Sequence, residues 1–148
     1  MNKAAVIEAL QAQLNAQLKD VQLSIDAVNE SIKGEEKSSA GDKYETARAM
    51  NHNELDRLNT SFQKILKSGS IVNGLSKSEN YQHVRLGSLV KTSKRVLFFC
   101  TGIGKINVDG VDILTMSMGS PIGQVFLGKQ VGEEIQFNNS KEMIEEIR

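Results

Sequence analysis

Two carboxylates three residues apart, Asp42 and Glu45, stand where one long helical pattern stops and another begins, inside "EEKSSAGDKYETAR". Glu35 and Glu36 precede them, and Lys33, Lys37 and Lys43 lie among them, so a turn that could be bland is densely charged. By spacing alone, Asp followed three residues later by Glu reads as a capping box. The Asp42 carboxylate would accept backbone N–H groups at the helix start, and Glu45 would reach back to the Asp42 N–H. The other reactive residue types form no comparable constellation. Cys100 is the single cysteine and lies in the apolar run "RVLFFCTG", which predicts a buried, inert thiol. His52 and His83 are isolated, and one cysteine with two separated histidines does not make a zinc site. "GIGKINVDG" lacks the spacing of a phosphate-binding loop and reads as a turn and a strand.

The elements that position the acidic turn are legible in the hydrophobic period. Ile7, Leu10, Leu14, Leu18, Val21, Ile25, Val28 and Ile32 recur at intervals of three and four, close to a heptad seam. After the turn, Leu55, Leu58, Phe62 and Ile65 resume the same period. The seam runs back through Asn51, Arg48 and Tyr44, which makes the end nearest the turn more polar. Neither stripe can be buried alone, and the connection is short, so the two helices should pair antiparallel as a hairpin. Tyr44 is expected to pack at the hairpin end, and Arg48 and Asn51 to set register.

Beyond it, "KSGSIVNGLSKSENYQH" reads as a linker around Lys67 to Asn80. The period then changes. "VRLGSLVK", "RVLFFCT", "KINV", "VDILTMS", "EEIQF" and "EMIEEI", divided by "TSK", "DG" and "NNS", predict a small, largely antiparallel sheet. Ser120 as N-cap, Pro121 at the first helical position and Gly128 as terminator predict one short helix between strands. Phe98, Phe99, Phe126 and Phe137 are expected in the core. The class is therefore α+β, with residues 1–75 as a coiled-coil hairpin and 76–148 as a second domain.

Composition narrows the partners. The chain has 148 residues, 39% of them hydrophobic, and 18 Lys plus Arg balance 18 Asp plus Glu, with near neutrality on both sides of Leu75. No basic field exists to hold a nucleic-acid backbone, so independent DNA binding is disfavoured. The opening "MNKAAVIEALQAQLNAQ" interleaves apolar residues with Gln and Glu, unlike a signal peptide or a membrane span, and a cytoplasmic location is expected.

The segment "SPIGQVFLGKQVGEEIQF" is similar to the C-terminal signature of the bacterial transcript cleavage factors GreA and GreB. The matching residues are Ser120, Pro121, Ile122, Gly123, Leu127, Gly128, Lys129, Val131, Gly132 and Glu133. The family's order of domains, an antiparallel coiled coil and then a small FKBP-like domain, also matches. Its tip carries Gly-Asp, two residues, then Glu, for which this chain has Gly41, Asp42, Lys43, Tyr44 and Glu45. The flanks depart from the family pattern: Lys43 and Tyr44 separate the acids, "TARAM" follows them, and "KGEEKSSA" precedes them.

The resemblance implies a transcription elongation factor whose arm enters the secondary channel of bacterial RNA polymerase and stimulates cleavage of backtracked RNA. The polymerase remains the enzyme and this chain needs no cofactor of its own. Asp42 and Glu45 would be the catalytic carboxylates, sharing the Mg²⁺ of the polymerase active site, with Asp42 as ligand and Glu45 holding the metal or orienting water. Gly41, Lys43, Tyr44 and Arg48 would meet the partner. The nascent RNA 3′ end would be met indirectly, DNA only through the elongation complex, and no membrane. Two other readings stay open: a channel-occupying regulator that does not promote cleavage, and an FKBP-like peptide-binding or prolyl isomerase module. One Asp42 carboxylate cannot commit fully to both cap and metal geometry.

Overall fold

The computed structural model describes the backbone of residues 1–37 and 41–148 and the side chains of residues 1–34 and 44–148. Two helices come first, α1 (Lys3–Lys37) and α2 (Gly41–Asn73). Six strands follow, β1 (Leu89–Thr92), β2 (Val96–Cys100), β3 (Lys105–Val108), β4 (Val111–Ser117), β5 (Glu134–Phe137) and β6 (Ser140–Ile147), with α3 (Pro121–Phe126) between β4 and β5. The chain divides into two compact units, Gln13–Gly69 and Met1–Ala12 with Ser70–Arg148. Among the described residues, no helix is long and apolar enough to cross a membrane.

In the first unit, the seam of α1 behaves as its period predicts. Leu14 and Ile25 are buried and Leu18, Val21, Val28 and Ile32 are half-buried, while Asn15, Lys19, Asp20 and Gln22 face solvent. On α2, Leu58 is buried and Leu55, Phe62 and Ile65 are half-buried. Such helices gain most of their stability from this shared stripe rather than from propensity.

In the second unit the strands are ordered β3-β4-β2-β1-β6-β5. The expected antiparallel pairing holds at four junctions, whereas β2 and β4 run parallel, Val96 opposite Ile113 through Cys100 opposite Ser117. β3 therefore occupies the sheet edge, paired to β4, and does not return beside β2. Leu97 and Phe99 join Val84, Val90, Ile122, Phe126, Ile135, Ile144 and Ile147 in one core, in which the Phe99 and Phe126 rings lie 5.4 Å apart. Phe98 and Cys100 alternate with them and are buried as well, so β2 is covered on both faces, as a continuous apolar run requires. Phe137 is half-buried against the same core.

The expected linker is a correction. Residues Lys67 to Asn73 are the end of α2, and only the stretch after Asn73 leaves the helix. Ser and Gly suggested a break, but Val72 is wholly buried and Ile71 half-buried, so tertiary packing outweighs the poor local propensity. The first turns of α1 belong to the same unit and are buried at Lys3, Val6, Ile7 and Leu10. There, Gln11 Nε2 donates to Asn73 Oδ1 at 2.9 Å, and Glu8 pairs with Lys77 at 3.2 Å.

Candidate functional site

The acidic residues singled out from the sequence fall at the start of α2. Gly41 is its first residue, so Asp42 and Glu45 both have helical backbone and lie about 4.5 Å apart along the axis. Positions three apart are neighbours on one face of a helix. Asp42 is thus inside the first turn rather than ahead of it, where an N-cap residue has non-helical backbone. A carboxylate in a first turn is favoured by the helix dipole. The side chains of Asp42 and Lys43 lie outside the described residues, as does the contact expected at Gly41.

Glu45 and Arg48 are exposed, and neither forms an ion pair with another described residue. Tyr44 is half-buried, in keeping with packing at the hairpin end, and Asn51 is half-buried on the seam. Met50, by contrast, is 67% exposed. No buried side chain follows Ile25 on the described part of α1 or precedes Leu58 on that of α2, so the described part of the hairpin becomes more polar and less tightly packed toward the acidic turn. Two turns on, Arg57 forks onto both carboxylate oxygens of Glu54, at 2.9 and 2.6 Å, on the open surface.

Among the described residues, no three His, Cys, Asp or Glu side chains gather where they could hold a metal. Mg²⁺ prefers six oxygen ligands and is commonly held by one or two carboxylates with waters and substrate phosphates. Asp42 and Glu45 have the right donor chemistry to contribute to such a shell, and too few oxygens to complete it.

The second motif resolves into structural roles. Ser120 caps α3, accepting from Gly123 N at 3.0 Å while its Oγ donates to Ser117 O at 2.7 Å, and Pro121 takes the first turn. Ile122 and Phe126 enter the core. Gly128 has φ of 79°, and its N–H donates to Val84 O at 2.8 Å, turning the chain out of the helix. Glu133 accepts from Gln130 N at 2.6 Å and approaches Lys129 at 3.9 Å. Leu127 and Val131 are exposed.

Two clusters escaped the sequence reading. Glu142 is buried in β6, takes Arg95 in a forked pair with a shortest contact of 2.6 Å, and accepts from Thr92 Oγ1 at 3.0 Å. Its place in the alternating "EMIEEI" carried the signal, because Glu142 shares the inward phase with Ile144. The Lys3 ammonium is the other. It donates to the Glu79 carbonyl and sits 4.2 Å from the centre of the Tyr81 ring, with Arg85 at 4.8 Å. Burial pushes the Lys3 pKa down, and Glu79 opposes that shift. Nothing in the period of α1 distinguishes Lys3 from a solvated lysine.

No family model matches the chain, and no curated protein matches it. Among solved structures, one described as "Structure of the transcription factor Gfh1" aligns with 93% of this chain and 92% of its own, at 15% identity and a TM-score of 0.38. A likeness at that level assigns neither fold nor function to this chain.

Proposed function

We propose that this protein is a Gre-like elongation factor that enters the secondary channel of bacterial RNA polymerase and stimulates cleavage of backtracked nascent RNA. The observation that carries the reading is a single chain combining a helical hairpin, Gly41, Asp42 and Glu45 at the start of its second helix, and the Ser120–Glu133 signature in a separate sheet unit. In this reading the polymerase performs the chemistry. The exposed Glu45 and its neighbour Asp42 offer oxygens to the active-site Mg²⁺, which supplies the activated water and stabilises the leaving oxygen. Hydrolysis of the phosphodiester frees the displaced 3′ segment and leaves a new RNA 3′ end in register. Lys43, Tyr44 and Arg48 meet the channel or the RNA.

The test is transcript cleavage on a stalled, backtracked elongation complex with Mg²⁺, comparing the natural chain with Asp42→Asn and Glu45→Gln and measuring polymerase binding in parallel. Asn matches Asp in size at this first-turn position, so the first variant removes the charge and costs the helix only the charge's favourable interaction with its dipole. Shortened RNA with the natural chain, lost in variants that still bind, supports the reading. Binding by all three without cleavage by any replaces it with a channel-occupying regulator. Absence of binding rejects both.

A further inference from the structure

Asn73 is the one asparagine of the chain that a glycine follows. It is the last residue of α2, exposed, and its Oδ1 accepts from Gln11 Nε2 at 2.9 Å. Neither packing nor backbone requires the glycine at Gly74. A Cβ added there would meet the Ser70 and Ile71 carbonyl oxygens at ordinary distances of 3.5 and 3.6 Å, and its φ lies outside the left-handed region. What glycine does supply is an unshielded main-chain nitrogen next to the Asn73 side chain. That nitrogen is engaged in the closed turn: the Gly74 N–H donates to the Ser70 and Ile71 carbonyls, each at 3.2 Å. Leu75 N donates to Val72 O at 3.2 Å as well, so the last turn is closed by bonds at the long end of the normal range.

We propose that Asn73–Gly74 is a site of spontaneous deamidation, gated by the last turn of α2 and by the Gln11 side chain. In the closed turn the two bonds aim the Gly74 N–H back along the helix, away from the Asn73 amide. Helix ends fray, and such openings lie at the low end of the free energies in a fold. Opening at Asn73 must also release it from Gln11. The Gly74 nitrogen then gives its proton to a solvent base and bonds to Asn73 Cγ. The bond from Cγ to Nδ2 breaks, and that nitrogen leaves as ammonia with a proton from water. Water adds to one carbonyl of the resulting cyclic imide and opens it to aspartate or isoaspartate, with no oxidation or reduction. Aspartate puts a negative charge at the C-terminal end of a helix, where the dipole disfavours it. Isoaspartate lengthens the main chain next to the wholly buried Val72. Either product weakens this end of α2.

Peptide mass mapping of the full chain in mildly alkaline buffer tests this, with a second sample unfolded in urea and circular dichroism to check the fold of each variant. Conversion is read as the mass gained when an amide becomes an acid, and isoaspartate by its enzymatic methylation. In the folded chain Asn73 should convert ahead of every other asparagine, and at least about five-fold more slowly than in urea. Gly74→Ala, which the surrounding space admits, should slow Asn73 about ten-fold in urea, where only the crowding of the nitrogen by a Cβ is felt. Gln11→Ala should speed Asn73 about five-fold in the folded chain, the worth of one hydrogen bond, and leave the urea rate unchanged. An Asn73 that stays intact in the folded chain while the urea sample converts, or that converts no faster than the other asparagines, overturns the site. An unchanged urea rate in Gly74→Ala overturns the part given to the glycine. Equal rates in folded and unfolded chains, or in the folded natural chain and Gln11→Ala, overturn the gate.

Discussion

A Cβ on Gly123 would stand 2.3 Å from the carbonyl oxygen of Ser117, with the Met118 carbonyl oxygen at 2.7 Å. Both obstacles are backbone, so neither can swing away, and the third residue after the Ser120 cap must be glycine for α3 to seat on β4. Gly123→Ala is expected to cost about 3 kcal/mol, the upper range for overpacking a closed site, measured as a fall in urea midpoint. Gly119→Ala meets only an ordinary 3.6 Å contact and should change stability little. Equal effects of the two substitutions would refute the close-approach argument.

Loss of the Ser120 side chain tests the cap apart from the packing. Ser120→Ala removes the acceptor for Gly123 N and the donor to Ser117 O, and the expected cost is about 1 kcal/mol. Ser120→Asp restores an acceptor for Gly123 N without the donor, and should recover part of that loss in the same urea titration.

Breaking the Arg95–Glu142 pair from either end should not be symmetric. Arg95→Met leaves a buried carboxylate with Thr92 as its remaining side-chain donor, and a cost of about 2 kcal/mol is expected because the guanidinium is itself partly exposed. Glu142→Gln keeps a carbonyl oxygen for Thr92 and frees Arg95 toward solvent, so it should cost less. Thermal melts of the two variants at neutral pH decide the order, and a larger loss in Glu142→Gln would contradict it.

Within the hairpin, Leu58→Ala is expected to destabilise by about 2 kcal/mol, since Leu58 is the one buried seam residue of α2 within Gln13–Gly69 among the described side chains. Leu66→Ala, at a side chain 42% exposed, should cost well under half as much. Urea-dependent loss of helical circular dichroism reads both.

The Cys100 thiol is 4% exposed, and burial pushes its pKa up to about 11, against an opposing contribution from the Thr101 backbone. At pH 8 the thiolate is roughly one part in a thousand, so a thiol reagent should label the native chain very slowly and the urea-unfolded chain promptly. The folded pKa lies above the ordinary value of 9.0, so the stability held by the neutral thiol is fully present below pH 9 and lost as pH rises toward 11. The loss should reach about 2 kcal/mol relative to Cys100→Ala, which lacks the titrating group. Parallel pH profiles of the two chains would disprove it.

Much of the local structure was legible because it depends on near neighbours. The spacing from Ile7 to Ile32 marks the seam of α1, Ser120 and Pro121 mark the start of α3, and "KINV" and "VDILTMS" coincide with β3 and β4. Asp109–Gly110 and Asn138–Asn139 sit at positive φ in the two hairpin turns, as their types require. The candidate tip was legible only as a pair of residues at a spacing, since capping and metal binding call for the same Asp and Glu. Backbone position then puts Asp42 within the first turn of α2.

Other features depended on contacts between residues remote in the chain. The parallel pairing of β2 with β4 is invisible locally because both strands would show the same apolar run in either direction. Ile144 and Ile147 both point inward despite an odd spacing, because the register shift between Lys91 and Thr92 absorbs one residue of β6. Ser68 to Ser70 read as a linker, yet burial of Val72 keeps them helical. Sequence by itself determined which segments are helix and strand and where the acids lie, since these follow from period and local hydrogen bonding. Only the tertiary structure decided strand direction, the burial of Lys3 and Glu142, and the reach of α2, since each depends on the free energy of packing against a distant partner.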